Sequence, residues 1–283
     1  MKIDIIFAPQ QDGVGVGGFE LLPQSLTGFI KPSFTILRDS NIVSKKRKNI
    51  KNLEAVIDYT NRLASVVSSI ISTGGFPLTI GGDHSVSLGT VSGVTENIHN
   101  LGVIWIDAHG DMNTETTSPS KNIHGMPLAA LQGKGNSKLI NAYFKGVKIK
   151  TSNIVIYGVR DLDEKEQELM EEIGVRYVSF EEIENRGIDI TISEAINYLK
   201  ERTNNLHVSF DLDVLNPQFI PGVSTPVKNG LLPQNSYSIL DKCFSNFNVT
   251  SFDIVEFNPA LDKRNQTRNF IIELTDYILK KVA

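Results

Sequence analysis

The chain has 283 residues, with 28 Lys and Arg against 32 Asp and Glu, giving a formal net charge of −4. Hydrophobic residues at 40% and charged residues at 21% exclude an intrinsically disordered chain, and the mildly acidic balance argues against a nucleic-acid binder. The single cysteine, Cys243, cannot form an internal disulfide, the N-terminal MKIDIIFAP has no signal-like apolar stretch, and no apolar run reaches about 18 residues. A cytoplasmic protein with no membrane partner is expected.

Short apolar or β-branched runs alternate with longer helical stretches. In chain order the pattern predicts a strand over Ile3–Phe7, a helix over Leu53–Ser72, and strands over Pro77–Ile80 and Leu101–Asp107. Next come a strand over Asn153–Tyr157, a charged helix over Asp163–Ile173, a strand over Val175–Val178 and a helix over Thr191–Glu201. The pattern ends with strands over Leu206–Asp211 and Thr250–Val255, separated by a helix over Pro233–Phe244 with Pro at its start, and a closing helix over Asn265–Lys281. Several strands are apolar along their whole length, as in a sheet covered on both faces. The alternation predicts one α/β domain over residues 1–283, a three-layer α/β/α sandwich on a mostly parallel central sheet. The polar stretch Gly110–Gly125, directly after a strand, lies where such sheets place their sites.

Three clusters follow strand ends: GGDHS with His84, DAHGD with Asp107, His109 and Asp111, and SFDLD with Asp211 and Asp213. In extended chain, residues two apart project to one side, so these side chains converge on one sheet edge. Four aspartates brought together repel one another, and two divalent cations would balance them. A set of carboxylates and imidazoles without thiolate suits Mn²⁺, with Co²⁺, Fe²⁺ or Ni²⁺ as substitutes. Two such ions activate water, so the expected chemistry is metal-assisted hydrolysis. His99 and His207 lie in no carboxylate cluster and are read as packed or exposed imidazoles.

The motifs GGDHS, DAHGDMN and SFDLDVLNP, in this order, resemble the ureohydrolase superfamily, and the similarity runs from IDIIFAP at Ile3–Pro9 to DIVEFNP at Asp253–Pro259. The resemblance implies two Mn²⁺ per chain, one held by His84 and Asp111 and the other by His109 and Asp213, with Asp107 and Asp211 bridging. It also implies attack of a metal-bridging hydroxide on a guanidinium or related carbon.

Within the superfamily, the NIHGMP ending of the loop after DAHGD, with Ser-Pro-Ser before it, resembles the arginases. That similarity implies L-arginine as substrate, cleaved to L-ornithine and urea. Asn113, Ser118 and Ser120 would then donate to the α-carboxylate, with Asn122 beside them. Asp163 would face the α-ammonium, with Glu166 as a water-mediated helper. The alternative for Asp161 or Asp163 is a helix N-cap, and the loop residues also suit an ordinary solvated loop. His124 matches a proton shuttle and Glu256 the acid that pairs with the guanidinium; Thr225 would contact the same end. Lys121 stands where Gly is common, and the glycine-rich Gly13–Pro23 is read as packing. The resemblance further implies a homo-oligomer, trimer or hexamer. The rivals are another ureohydrolase, such as an agmatinase or guanidinobutyrase, and a non-catalytic arginase-like protein.

Overall fold

Among the described residues, eight strands form one sheet in the order β2-β1-β3-β8-β7-β4-β5-β6, every neighbouring pair parallel. They are β1 (Ile3–Ala8), β2 (Phe34–Thr35), β3 (Phe76–Gly81), β4 (Leu101–Ile106), β5 (Ile154–Val159), β6 (Arg176–Ser179), β7 (Asn205–Asp211) and β8 (Asn248–Val255). The computed structural model describes residues 1–44 and 47–283. The seven predicted strands are present, and the sheet is parallel throughout rather than mostly so. The unpredicted β2 is two exposed residues on the sheet edge, too short to carry a periodic signal.

Among the described residues, ten α-helices cover the two faces. They are α1 (Leu22–Leu26), α2 (Leu53–Ser72), α3 (Val86–Thr95), α4 (Pro127–Leu131), α5 (Ser137–Ile140), α6 (Glu164–Ile173), α7 (Phe180–Arg186), α8 (Ile188–Lys200), α9 (Asn235–Asn246) and α10 (Gln266–Val282). One core packs residues of α1 and α7–α10 against side chains such as Ile104, Ile106, Val208 and Phe210. The other packs α2–α6 against Val103, Trp105, Ile154 and Ile156. Alternate residues of β4 and β5 thus serve opposite cores, which is the three-layer arrangement expected.

Helix α3 escapes the sequence pattern because it is buried all round. A Cβ on Gly93 would stand 2.5 Å from the Ala64 carbonyl of α2, and one on Gly89 3.2 Å from the Thr60 carbonyl. The two glycines let α3 wedge between α2 and the sheet, and this places its polar residues against β7 and β8.

The topology positions the site. Strands β3, β8, β7 and β4 are consecutive in the sheet but widely separated in sequence, so their carboxyl ends bring four distant segments side by side. Among the described residues, no helix is long and apolar enough to cross a membrane.

Candidate metal centre and substrate cavity

The first acid of each motif folds its own turn. Asp83 Oδ1 accepts the Ser85 N–H at 3.1 Å, Asp107 Oδ1 the His109 N–H at 2.7 Å, and Asp211 Oδ1 the Asp213 N–H at 2.7 Å. This Asx-type device bends the chain just past each strand and turns the following acid or imidazole inward.

The two imidazoles organise the cluster. His84 Nδ1 lies 3.0 Å from Asp107 Oδ2, 3.0 Å from Asp111 Oδ2 and 2.9 Å from Asp211 Oδ2. His109 Nδ1 lies 3.1 Å from Asp213 Oδ2 and 3.5 Å from Asp107 Oδ1. Two sets of ligand atoms, His84–Asp107–Asp111 and Asp107–His109–Asp213, each fall within 4.8 Å of one another, and Asp107 belongs to both. Asp211 faces the first set through His84. Asp111 holds a left-handed backbone, φ 50°, and Glu256 another, φ 65°, angles uncommon for non-glycine residues.

Electrostatics show what the cluster lacks. Burial pushes Asp111 up to about 6, aided by the neighbouring Asp107 charge. Burial also raises Asp211, helped by Asp213, and raises Asp213 against the pull of His109. Burial disfavours charge on His84 and His109, but the carboxylates around them prevail and hold both well above the usual imidazole range. His84 Nδ1 and Asp111 Oδ2 are buried without a hydrogen bond of acceptable geometry. Hard oxygen and imidazole donors, two of them orphaned, fit a pair of divalent cations.

Above the cluster opens a cavity of about 210 Å³, whose walls include every sequence-predicted site residue except Asp107, which is fully buried beneath it. At one side, Glu256 Oε1 accepts the His84 N–H at 2.9 Å and meets His124 Nδ1 at 3.1 Å, while its buried Oε2 has no partner. Burial opposes charge on His124, but Glu256 outweighs it and raises the imidazole. Thr225 Oγ1 donates to Asp213 Oδ2 at 3.2 Å.

The mouth is formed by the loop after β4. Asn113 Nδ2 donates to Asp163 Oδ2 at 2.9 Å, Ser118 Oγ lies 3.3 Å from Ser120 Oγ, and Asn122 Oδ1 accepts from Lys51 Nζ at 3.0 Å. Asp163 is also the N-cap of α6, in a capping box with Glu166, so its capping and cavity-facing positions coexist. Glu166 is engaged by backbone: Oε1 accepts the Met112 N–H at 2.8 Å and Oε2 the Asp163 N–H at 3.4 Å. Lys121 has φ 61°, which accounts for glycine suiting that place.

Several contributors were not read from the sequence. Trp105 stacks on the His84 ring at 4.1 Å and donates Nε1–H to Asp107 Oδ2 at 3.0 Å. Arg160 clamps the turn carrying Asp213 by donating to the carbonyls of Asp213 and Val214 at 2.7 and 3.1 Å. Asp161 lies 3.8 Å from His109 Nε2. Asp83 Oδ2 accepts the Gly13 and Val14 N–H groups at 2.8 and 3.1 Å, and the Gly13 carbonyl accepts the His124 N–H at 3.3 Å. The glycine-rich segment therefore packs, as expected, and also supports His124. His207 is fully buried in β7, and His99 is exposed; neither reaches the cavity.

A parallel sheet whose central strand ends gather four buried aspartates and two histidines defines a metal-binding α/β enzyme. Residues 26–280 match the model of the arginase family. The chain is 44% identical over 225 residues to the arginase of Bacillus caldovelox, covering 80% of this chain and 75% of that protein. It superposes on the native structure of a Bacillus caldovelox arginase with a TM-score of 0.91 at 38% identity, over 97% and 96% of the two chains. It is also similar to the Entamoeba histolytica arginase solved in complex with L-ornithine, with a TM-score of 0.87 at 30% identity over 97% of both chains. The chain belongs to the arginase family.

Proposed function

We propose that this protein is a manganese-dependent arginase that hydrolyses L-arginine to L-ornithine and urea. The observation that carries the reading is one cavity with a floor of carboxylates and imidazoles able to hold cations, an unpartnered carboxylate oxygen at its side and neutral donors at its mouth. His84 and Asp111 would hold one ion, His109 and Asp213 the other, and Asp107 and Asp211 would bridge them. Two divalent cations bound there supply the Lewis acidity that makes water nucleophilic near neutral pH.

The chain's own residues position the substrate. Glu256 Oε2, buried and unpartnered, accepts guanidinium N–H and fixes the plane of the group above the aspartates. Thr225 contacts the same end. His124, tethered to Glu256 through Nδ1, carries a proton to the departing amine. Asn113, Ser118, Ser120 and Asn122 supply neutral donors to the α-carboxylate, and Asp163 faces the α-ammonium. Glu166, which lines the same cavity, assists at the ammonium through water.

The single sheet with a core on each face supports reading residues 1–283 as one domain. A cytoplasmic homo-oligomer, trimer or hexamer, completes the proposal, and sedimentation of the purified protein tests the assembly. The deciding assay is a substrate panel on manganese-loaded protein. Ornithine and urea from arginine are expected. Turnover of agmatine or guanidinobutyrate without arginine would move the protein to another ureohydrolase activity.

A further inference from the structure

Behind the cluster, a line of fully buried polar groups runs from α3 to His84. Asp253 of β8 accepts hydrogen bonds on Oδ2 from Ser87 Oγ at 2.8 Å and from Thr90 Oγ1. Ser87 Oγ lies 3.1 Å from Ser209 Oγ of β7, and Ser209 Oγ lies 2.8 Å from His84 Nε2. Ser87, Ser209, Asp253 and Thr90 are all at most 1% exposed, so water does not compete for these contacts.

The proton count along this line has one solution. A carboxylate only accepts, and a hydroxyl has one proton to give. Ser87 gives its proton to Asp253, so Ser209 must donate in the contact with Ser87. Ser209 has then no proton left for His84, so it accepts, and the His84 proton sits on Nε2. The lone pair of the neutral ring is thereby on Nδ1, the atom that lies 2.9–3.0 Å from Asp107, Asp111 and Asp211. A cation-binding imidazole needs that lone pair, and its other nitrogen sets the tautomer.

We infer that Ser87 is a positioning residue: held by Asp253, it sets the donor direction through Ser209 and so fixes His84 in the tautomer that binds the ion nearest it. This rests on the metal reading of the site. Without Ser87, the Ser209 hydroxyl is free to turn its proton toward His84 Nε2, which favours the tautomer unable to ligate through Nδ1. Thr90 shares the Asp253 carboxylate but stands off the line to His84, so it serves as a packing control.

The experiment titrates metal-free protein with Mn²⁺ alone, following bound ion by electron paramagnetic resonance, for the wild type, Ser87→Ala and Thr90→Ala. Wild type should bind two ions. Ser87→Ala should weaken one of them about ten-fold and leave the other near the wild-type value. Thr90→Ala should bind both ions as wild type does, and thermal melting of the metal-free variants reads any packing loss separately. Wild-type affinity for both ions in Ser87→Ala would overturn the inference while leaving the metal site intact. Equal weakening in Thr90→Ala would also overturn it, by assigning the effect to packing. A wild-type protein that takes up no Mn²⁺ would overturn the metal reading itself.

Discussion

Glu166 gives a prediction whose size follows from the structure. The residue is 3% exposed, and burial pushes its carboxyl from an ordinary value of 4.5 up to about 8, against the two backbone N–H groups that favour its charge. The folded metal-free chain therefore keeps a proton on Glu166 that the unfolded chain has already released. With more protons bound in the folded state, stability falls as pH rises from about 4.5 to about 8 and levels above it. Each pKa unit is worth about 1.4 kcal/mol, so the full fall is ~5 kcal/mol, a large part of a typical domain stability of about 5–15 kcal/mol. Glu166→Gln removes the titration. The amide oxygen still accepts from Met112, and losing the second acceptor toward Asp163 costs about 1 kcal/mol. The variant should thus be slightly less stable than wild type at pH 5 and more stable by several kcal/mol at pH 9. Urea denaturation of both metal-free proteins across that range checks it. A difference that does not change with pH would refute the buried-carboxyl account.

Four further outcomes are expected. Gly93→Ala should lose about 1–3 kcal/mol in urea denaturation, because the new Cβ would meet the Ala64 carbonyl at 2.5 Å and Val67 Cβ at 2.9 Å. Gly28→Ala, with nothing within 4 Å of its Cβ, should change stability by less than about 0.5 kcal/mol. Ser120→Ala should raise KM for arginine several-fold with kcat nearly kept, and leave agmatine turnover unchanged; an unmoved KM for arginine would remove Ser120 from carboxylate recognition. Asp211→Asn, which takes a charge from beside His84 Nδ1, should lose most bound manganese by elemental analysis and most activity, and near-normal metal content would contradict a bridging role.

The strands were legible because burial on both faces leaves long apolar runs, and α2, with one apolar stripe, was legible throughout its length. Helix α3 was not, since its Gly, Ser and Thr residues answer to packing against α2 and β8 rather than to a period. The candidate ligand motifs were legible because each sits at a strand end, and in DAHGD and SFDLD the candidate ligands are spaced by two. The groups that aim those ligands were harder to see. Trp105 and Ser209 lie two residues before Asp107 and Asp211, on the same strand faces, so alternation could have nominated them. Ser87 and Asp253 could not be nominated, because only the tertiary fold sets α3 against β8. The loop residues of the cavity mouth depended on family resemblance, since Ser and Asn carry no chemistry of their own in an irregular stretch.

The charge state of the cluster links the fold to its proposed work. Four carboxylates with two protonated imidazoles would leave the site two charges short of neutrality, and the upward displacement of Asp111, Asp211 and Asp213 shows the fold drawing in further protons. Asp107 is held low instead: burial opposes its charge, but His109 and His84 on either side outweigh that. Two divalent cations match four carboxylates with both histidines neutral, each ring keeping one proton. Protons and cations therefore compete for the same six side chains, and metal binding must release protons. The sheet contributes by making the alternative costly. It brings strand ends distant in sequence so close together that the acids cannot separate, and it buries them too deeply for water to screen them.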